Sequence, residues 1–316
     1  MSMIPATPDW LRRYTKLTAF STLFLVFAGA MVTSTASGLS VPDWPLSFGM
    51  VFPPMVGGIF YEHGHRMIAA SVGFLTMVQA VWLQMREPKR VVRILGWTAV
   101  GAVVAQGLLG GLTVLFLLPP SISVAHAGLA EIFLSINVSI AFFTSRFYLR
   151  LSGDVAEGSL DLAGIGKLLV GAVYVQILIG AVMRHIGAGL AIPDFPLSFG
   201  HLVPDFTSTA IAVNFAHRTW GVLLGLVIYA MGPWILRRAD RRVGRIYAFL
   251  IVLVTLQISL GAVTVWSSKQ PVITSFHVVT GALTFATTVV FALSAHVVRA
   301  RARERGMVIA GGEAIA

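Results

Sequence analysis

The chain contains no cysteine. Structural disulfides, thiolate zinc sites, iron–sulfur clusters and covalent c-type heme attachment are therefore excluded. Charge is scarce too: 11% of the 316 residues are Asp, Glu, Lys or Arg, against about 25% in an average soluble domain. Hydrophobic residues make up 56% and the mean hydropathy is +0.83. Such a composition belongs to polytopic membrane proteins, whose backbone polar groups must be satisfied inside helices or closed barrels. Long apolar runs, in place of short alternating segments, select helices. The charge that is present leans to +10, a surplus that in a soluble chain suggests nucleic acid.

The apolar runs predict eight spans, at about 17–37, 65–85, 92–116, 123–146, 164–185, 211–236, 244–266 and 273–298, each near or above the ~20 residues a bilayer core requires. The first, with Arg12, Arg13 and Lys16 before it and Ser34-Thr35-Ala36-Ser37-Gly38 after it, has the form of a cleavable signal peptide. It takes part in an internal repeat, so it is read as retained. The N-terminus, the C-terminal tail and the loops after spans two, four and six hold 19 of the 23 cationic residues; only Arg66, Arg184, Arg218 and Lys269 fall on the other side. Positive charge marks the cytoplasmic side. The basic surplus is thus a topology signal, with both termini expected in the cytoplasm and no nucleic-acid partner expected.

The repeat is explicit. Gly38-Leu39-Ser40-Val41-Pro42-Asp43-Trp44-Pro45-Leu46-Ser47-Phe48-Gly49 returns 151 residues later as Gly189-Leu190-Ala191-Ile192-Pro193-Asp194-Phe195-Pro196-Leu197-Ser198-Phe199-Gly200. Gln106 to Val114 pairs with Gln257 to Val265, and His126 with His277, at the same offset; His65 pairs with His217 at 152. The expected fold is an all-α polytopic membrane protein, with eight transmembrane helices forming two tandem four-helix bundles. Four helices per repeat give both halves one orientation, so their pseudo-twofold axis should follow the membrane normal. The halves are placed at 1–155 and 156–316, joined by the polar segment from Leu151 to Gly164.

Four of the eight histidines obey the repeat: His65, His126, His217 and His277. Each lies within about two turns of the outer end of its span, two per half. Facing imidazoles from two helices, with no cysteine or methionine in register, suit the two axial positions of a heme iron. A hydrogen bond from each ring to a neighbouring carbonyl is the plainer alternative. Arg66 and Arg218 follow the first histidine of each pair; they can grip heme propionates bidentately or simply snorkel to the interface. Asp43 and Asp194 are read as turn or cap residues of the Pro-Asp-aromatic-Pro loops. His63, His185, His201 and His296 lack repeat partners and are read as loop or interfacial residues, with His63 set apart by its neighbours Glu62 and His65.

The halves differ at Glu62, which aligns with Asn214. On a helix, residues three apart share a face, which turns Glu62 towards the cavity of His65. A carboxylate there can accept protons or stabilise developing positive charge; it can also be an acid favoured by the helix dipole. Glu131, in span four, aligns with Ala282 and is read as a locally bonded or neutral carboxyl.

At these residues the chain resembles the heme A synthase family, over nearly all its length, from about Lys16 to Arg299. The family signature Glu-x-x-His-Arg matches Glu62-His63-Gly64-His65-Arg66, and its other histidines match His126, His217 and His277. The resemblance implies an eight-helix enzyme that oxidises the C8 methyl of heme O to a formyl by successive hydroxylations. It implies that substrate heme O sits between His65 and His126, with Glu62 needed for the chemistry. It also implies a permanent heme b between His217 and His277 that relays electrons. Heme O synthase and an unidentified electron acceptor would be partners, in the inner membrane of a bacterium, with both heme sites near the outer side. Many bacterial members carry a cysteine pair in the outer loop, where this chain has Val41 and Ser47, matched by Ile192 and Ser198; a thiol-based role is excluded here. The alternative is a di-heme b-type electron carrier, which would not need Glu62. A transporter would place its site near the midplane, away from these histidines.

Overall fold

The structure, a computed structural model, describes residues 7–151 and 162–313, with side chains up to residue 304. The boundary expected at 155/156 lies outside the described residues. Among the described residues, eight helices are long and apolar enough to cross a membrane: α1 Asp9–Ser34, α2 Gly58–Arg86, α3 Arg90–Leu115, α4 Pro120–Thr144, α6 Leu162–His185, α7 Thr209–Arg238, α8 Arg241–Trp266 and α9 Pro271–Glu313. The single turn α5, Arg146–Leu149, follows α4. All eight expected spans are present, but α1 and α2 begin well before their apolar runs. The amphipathic first turns of α1 are tied down by Asp9, which pairs with Arg12 at 2.9 Å and with Arg146 at 2.6 Å. The early start of α2 brings Glu62 and His63 into the helix.

Polar side chains are reconciled with an apolar bundle mostly by bonding back to the preceding turn. Thr22, Thr76 and Thr288 each donate to the carbonyl four residues earlier at 2.8 Å, which removes the cost of an unpaired hydroxyl. Across helices, the buried Gln79 amide donates to Asn137 Oδ1 at 3.0 Å.

Helices α1 to α4 pack in a closed ring, each on the next and α4 back on α1; α6 to α9 do the same. The rings meet through α1 and α4 on one side and α6 and α9 on the other. Along this seam Tyr174 donates to Gly128 O at 3.3 Å, Ser275 to Ser34 Oγ at 3.1 Å and Arg184 to Ala30 O at 2.7 Å.

One long loop follows α1 and another follows α6, at the same end of the molecule. Ser47 and Met50 exchange backbone hydrogen bonds around Phe48 and Gly49, both with positive φ; Ser198 and His201 do so around Phe199 and Gly200. Two successive residues of positive φ make a type I′ turn, a conformation that phenylalanine rarely adopts. The turn is held by an aspartate: Asp43 accepts from the Phe48 and Gly49 amides at 2.6 and 2.9 Å, and Asp194 from Phe199 and Gly200 at 2.8 and 2.9 Å. These amide donors hold both carboxyls below the usual carboxylate range.

A depressed folded-state pKa contributes stability above the unfolded value, about 3.9 for aspartate, that is lost as pH falls through the folded value. Hydrogen exchange should therefore show the Phe199 and Gly200 amides protected between pH 5 and 7 and released on acidification well below about pH 4. Asp194→Ala should release them throughout; unchanged protection in that variant would remove Asp194 from this role.

Candidate functional site

The helices that begin at the loop end are α2, α4, α7 and α9, and each carries one repeat histidine within its first nine residues. His65, His126, His217 and His277 are all half-buried. His217 and His277 face each other, with ring centroids 6.4 Å apart and planes at 77°. Rings at that separation could hold a metal ion between them. In the other ring of helices, Nδ1 of His65 and of His126 is buried without a partner, and the two residues are within electrostatic reach of each other. No group of three or more metal-ligating side chains occurs among the described residues. Two imidazoles per site fit a metal whose equatorial ligands come from a macrocycle, and the residues present fit heme iron.

Sequence reasoning missed what holds the rings. Each imidazole lies against a glycine of the preceding helix. A Cβ on Gly29 would stand 3.0 Å from His65 Cε1, on Gly110 3.2 Å from His126 Cε1, on Gly180 2.8 Å from His217 Cε1, and on Gly261 3.2 Å from His277 Cε1. The signal was available: Gly29 to Gly180 and Gly110 to Gly261 are both offsets of 151. Four residues before three of these glycines stands a glutamine. Gln106 donates to His126 O at 2.9 Å, and Gln176 to His217 O at 3.0 Å. Gln257 Nε2 lies 3.4 Å from His277 Nε2, while His277 Nδ1 donates to Gln257 O at 3.2 Å. That carbonyl fixes the tautomer and leaves His277 Nε2 its lone pair. The fourth position is Leu25, so no glutamine stands four residues before the glycine that seats His65.

Arg66 and Arg218 are committed to the loops. Arg66 donates to the carbonyls of Val41, Asp43 and Leu46 at 3.2, 2.7 and 3.0 Å, and Arg218 to those of Ile192, Asp194 and Leu197 at 2.7, 2.6 and 3.3 Å. The fourth terminal N–H of Arg66 binds Glu62 Oε1 at 2.7 Å. Only the guanidinium Nε–H of Arg66 is then left for a ligand. Glu62 is 4% exposed, and its second oxygen accepts from the Val41 amide at 2.7 Å. The carboxylate thus joins helix, loop and arginine one turn from His65. Asn214 reverses the polarity, donating to Ala188 O at 2.8 Å and Gly189 O at 3.3 Å.

His63, expected in a loop or at the interface, is instead a buried residue of α2 whose Nδ1 lies 2.8 Å from Ser47 Oγ. His185 ends α6, His201 is an exposed loop residue and His296 is an exposed residue of α9. Glu131 is buried at the seam with Oε2 unpartnered.

The chain matches the family described as cytochrome oxidase assembly protein over residues 56–289 and 207–310. Among similar curated proteins is the heme A synthase of Shouchella clausii, 32% identical over 246 residues, covering 73% of this chain and 78% of the relative. That of Halalkalibacterium halodurans is 28% identical over 287 residues, covering 88% and 94%. That of Alkalihalophilus pseudofirmus is 30% identical over 239 residues, covering 72% and 77%.

If the glycine seats set ring position, Gly180→Val should lower heme retained at His217 about tenfold or more, as changes beside a metal ligand commonly do. Gly171, on the same helix with open space around its Cβ position, is the control and should tolerate valine. Equal heme retention in both variants would show that the seat does not matter.

Proposed function

The chain belongs to the heme A synthase family of cytochrome oxidase assembly proteins, and from that premise we propose that it is an oxidoreductase converting heme O to heme A. The observation that carries this reading is a pair of matched two-histidine sites of which only one has an acid beside it. In the half spanning 1–155, His65 and His126 hold substrate heme O. In the half spanning 156–316, His217 and His277 hold a resident heme b, which when bound supplies one-electron transfer. Glutamine amides reach a ring nitrogen of His217 at 3.3 Å and of His277 at 3.4 Å, whereas Nδ1 of both His65 and His126 is unpartnered; the unbraced pair lies where a ligand must exchange, which supports the same division.

Glu62 supplies the acid–base function in the first half. Its Oε2 faces a backbone amide and its Oε1 a guanidinium. These donors stabilise the carboxylate and hold it where it can accept a proton. A carboxylate aligned before reaction also needs little reorganisation to stabilise positive charge developing next to it. Asn214 cannot take a proton in this way, so the second half holds its group without altering it. The clustering of Lys and Arg at the end opposite the loops supports an orientation with both termini cytoplasmic and both sites near the outer face. Heme O synthase is the partner whose product this site consumes.

Glu62→Gln should leave heme content unchanged and abolish heme A formation; near-normal heme A from that variant would remove Glu62 from the mechanism. His217→Ala or His277→Ala should lower retained heme b, and full heme b in both would overturn the C-terminal assignment. The deciding measurement is chromatography of hemes extracted from the purified protein, expressed with and without a heme O synthase. Heme b alone without the synthase, and heme A with it, is the expected result. Two equivalents of heme b under both conditions, with no heme O or A, would make the protein an electron carrier.

A further inference from the structure

Four cations lie at the loop end: Arg66, Arg184, Arg218 and Lys269. Arg66 and Arg218 are tied to loop carbonyls, and Lys269 is exposed at the turn before α9. Arg184 is placed differently. It is the penultimate residue of α6, and it makes one hydrogen bond, to Ala30 O at 2.7 Å, across the seam. It forms no ion pair among the described residues.

Its position on α6 is informative. Gln176, Gly180 and Arg184 follow at intervals of four, and residues so spaced share a helix face. Gln176 braces His217 and Gly180 seats its ring, so Arg184 stands one turn further towards the loops on the histidine-facing stripe. Its charge is within electrostatic reach of His277 and His185. The matched stripe on α1 reads Leu25, Gly29, Thr33, so the first half has no such cation.

We propose that Arg184 is the anion subsite of the His217–His277 pocket and takes the carboxylates of a tetrapyrrole held there. The inference rests on the heme reading of that pocket. A guanidinium presents paired donors that match a carboxylate, and a half-buried cation without an acid is stabilised by gaining one. The two carboxylates of such a ring lie on one edge, and Arg184 assigns that edge to the loop end. Because Arg184 also reaches α1 next to Gly29, the seat of His65, it couples the pocket to the seam between the halves.

The test titrates the purified full-length protein, and its Arg184→Gln and Arg184→Lys variants, with iron protoporphyrin IX and with its dimethyl ester, following the bis-imidazole spectrum. The parent should prefer the free diacid by about tenfold, the scale of one charge-assisted hydrogen bond. Arg184→Gln should bind both forms at the level of the ester, and Arg184→Lys should recover part of the preference. In the assembled protein, loss of this cation should also lower the midpoint potential of the bound group. A full preference surviving in Arg184→Gln would place the carboxylates elsewhere and overturn the proposal. So would an absent preference in the parent, or loss of both ligands in Arg184→Gln alone, which would make the residue structural. A parent that binds neither form would instead refute the heme reading itself.

Discussion

An imidazole can lie against a neighbouring helix only where that helix has no side chain. Four glycines meet this condition here, one for each repeat histidine, with Cβ positions 2.8 to 3.2 Å from the ring. Packing in lipid gains nothing from excluding water, so close backbone approach is the main attraction available between helices. At Gly29, Gly110, Gly180 and Gly261 that approach also sets the azimuth of each ring. Gln176 and Gln257 then reach a ring nitrogen of His217 and of His277.

Among the differences between the two sequence repeats, three lie beside the histidines. Glu62 against Asn214 turns an acceptor into a donor towards the loop. Leu25 against Gln176 removes a brace from one histidine. Thr33 against Arg184 removes a cation. Each exchange alters the hydrogen-bonding character or charge beside a histidine within the same sequence repeat.

The eight spans were legible from hydropathy over about 20 residues, and an offset of 151 singled out four histidines that the structure sets near the loop end. The early starts of α1 and α2 were not legible, since their first turns are held by polar contacts such as Asp9 with Arg146, and not by apolar content. His63 was misplaced for the same reason: its environment comes from Ser47, distant in sequence. The arginines were read as propionate grips or interface anchors, whereas three loop carbonyls converge on each; such convergence is a property of the folded loop and has no pattern in the sequence. The glycines lay within the repeat but carry no chemistry of their own, so nothing singled them out.

The manner in which the first loop is fastened has a cellular consequence. Val41, Asp43 and Leu46 are drawn to α2 by Arg66, with Glu62 fixed between them. A cystine in the same place would depend on an oxidising catalyst and would be open to reductants. A carboxylate–guanidinium clasp assembles whenever the chain folds and needs no electron acceptor to close. Maturation of this loop is thus independent of thiol oxidation machinery, and the loop stays fastened to α2 whatever the surrounding redox poise.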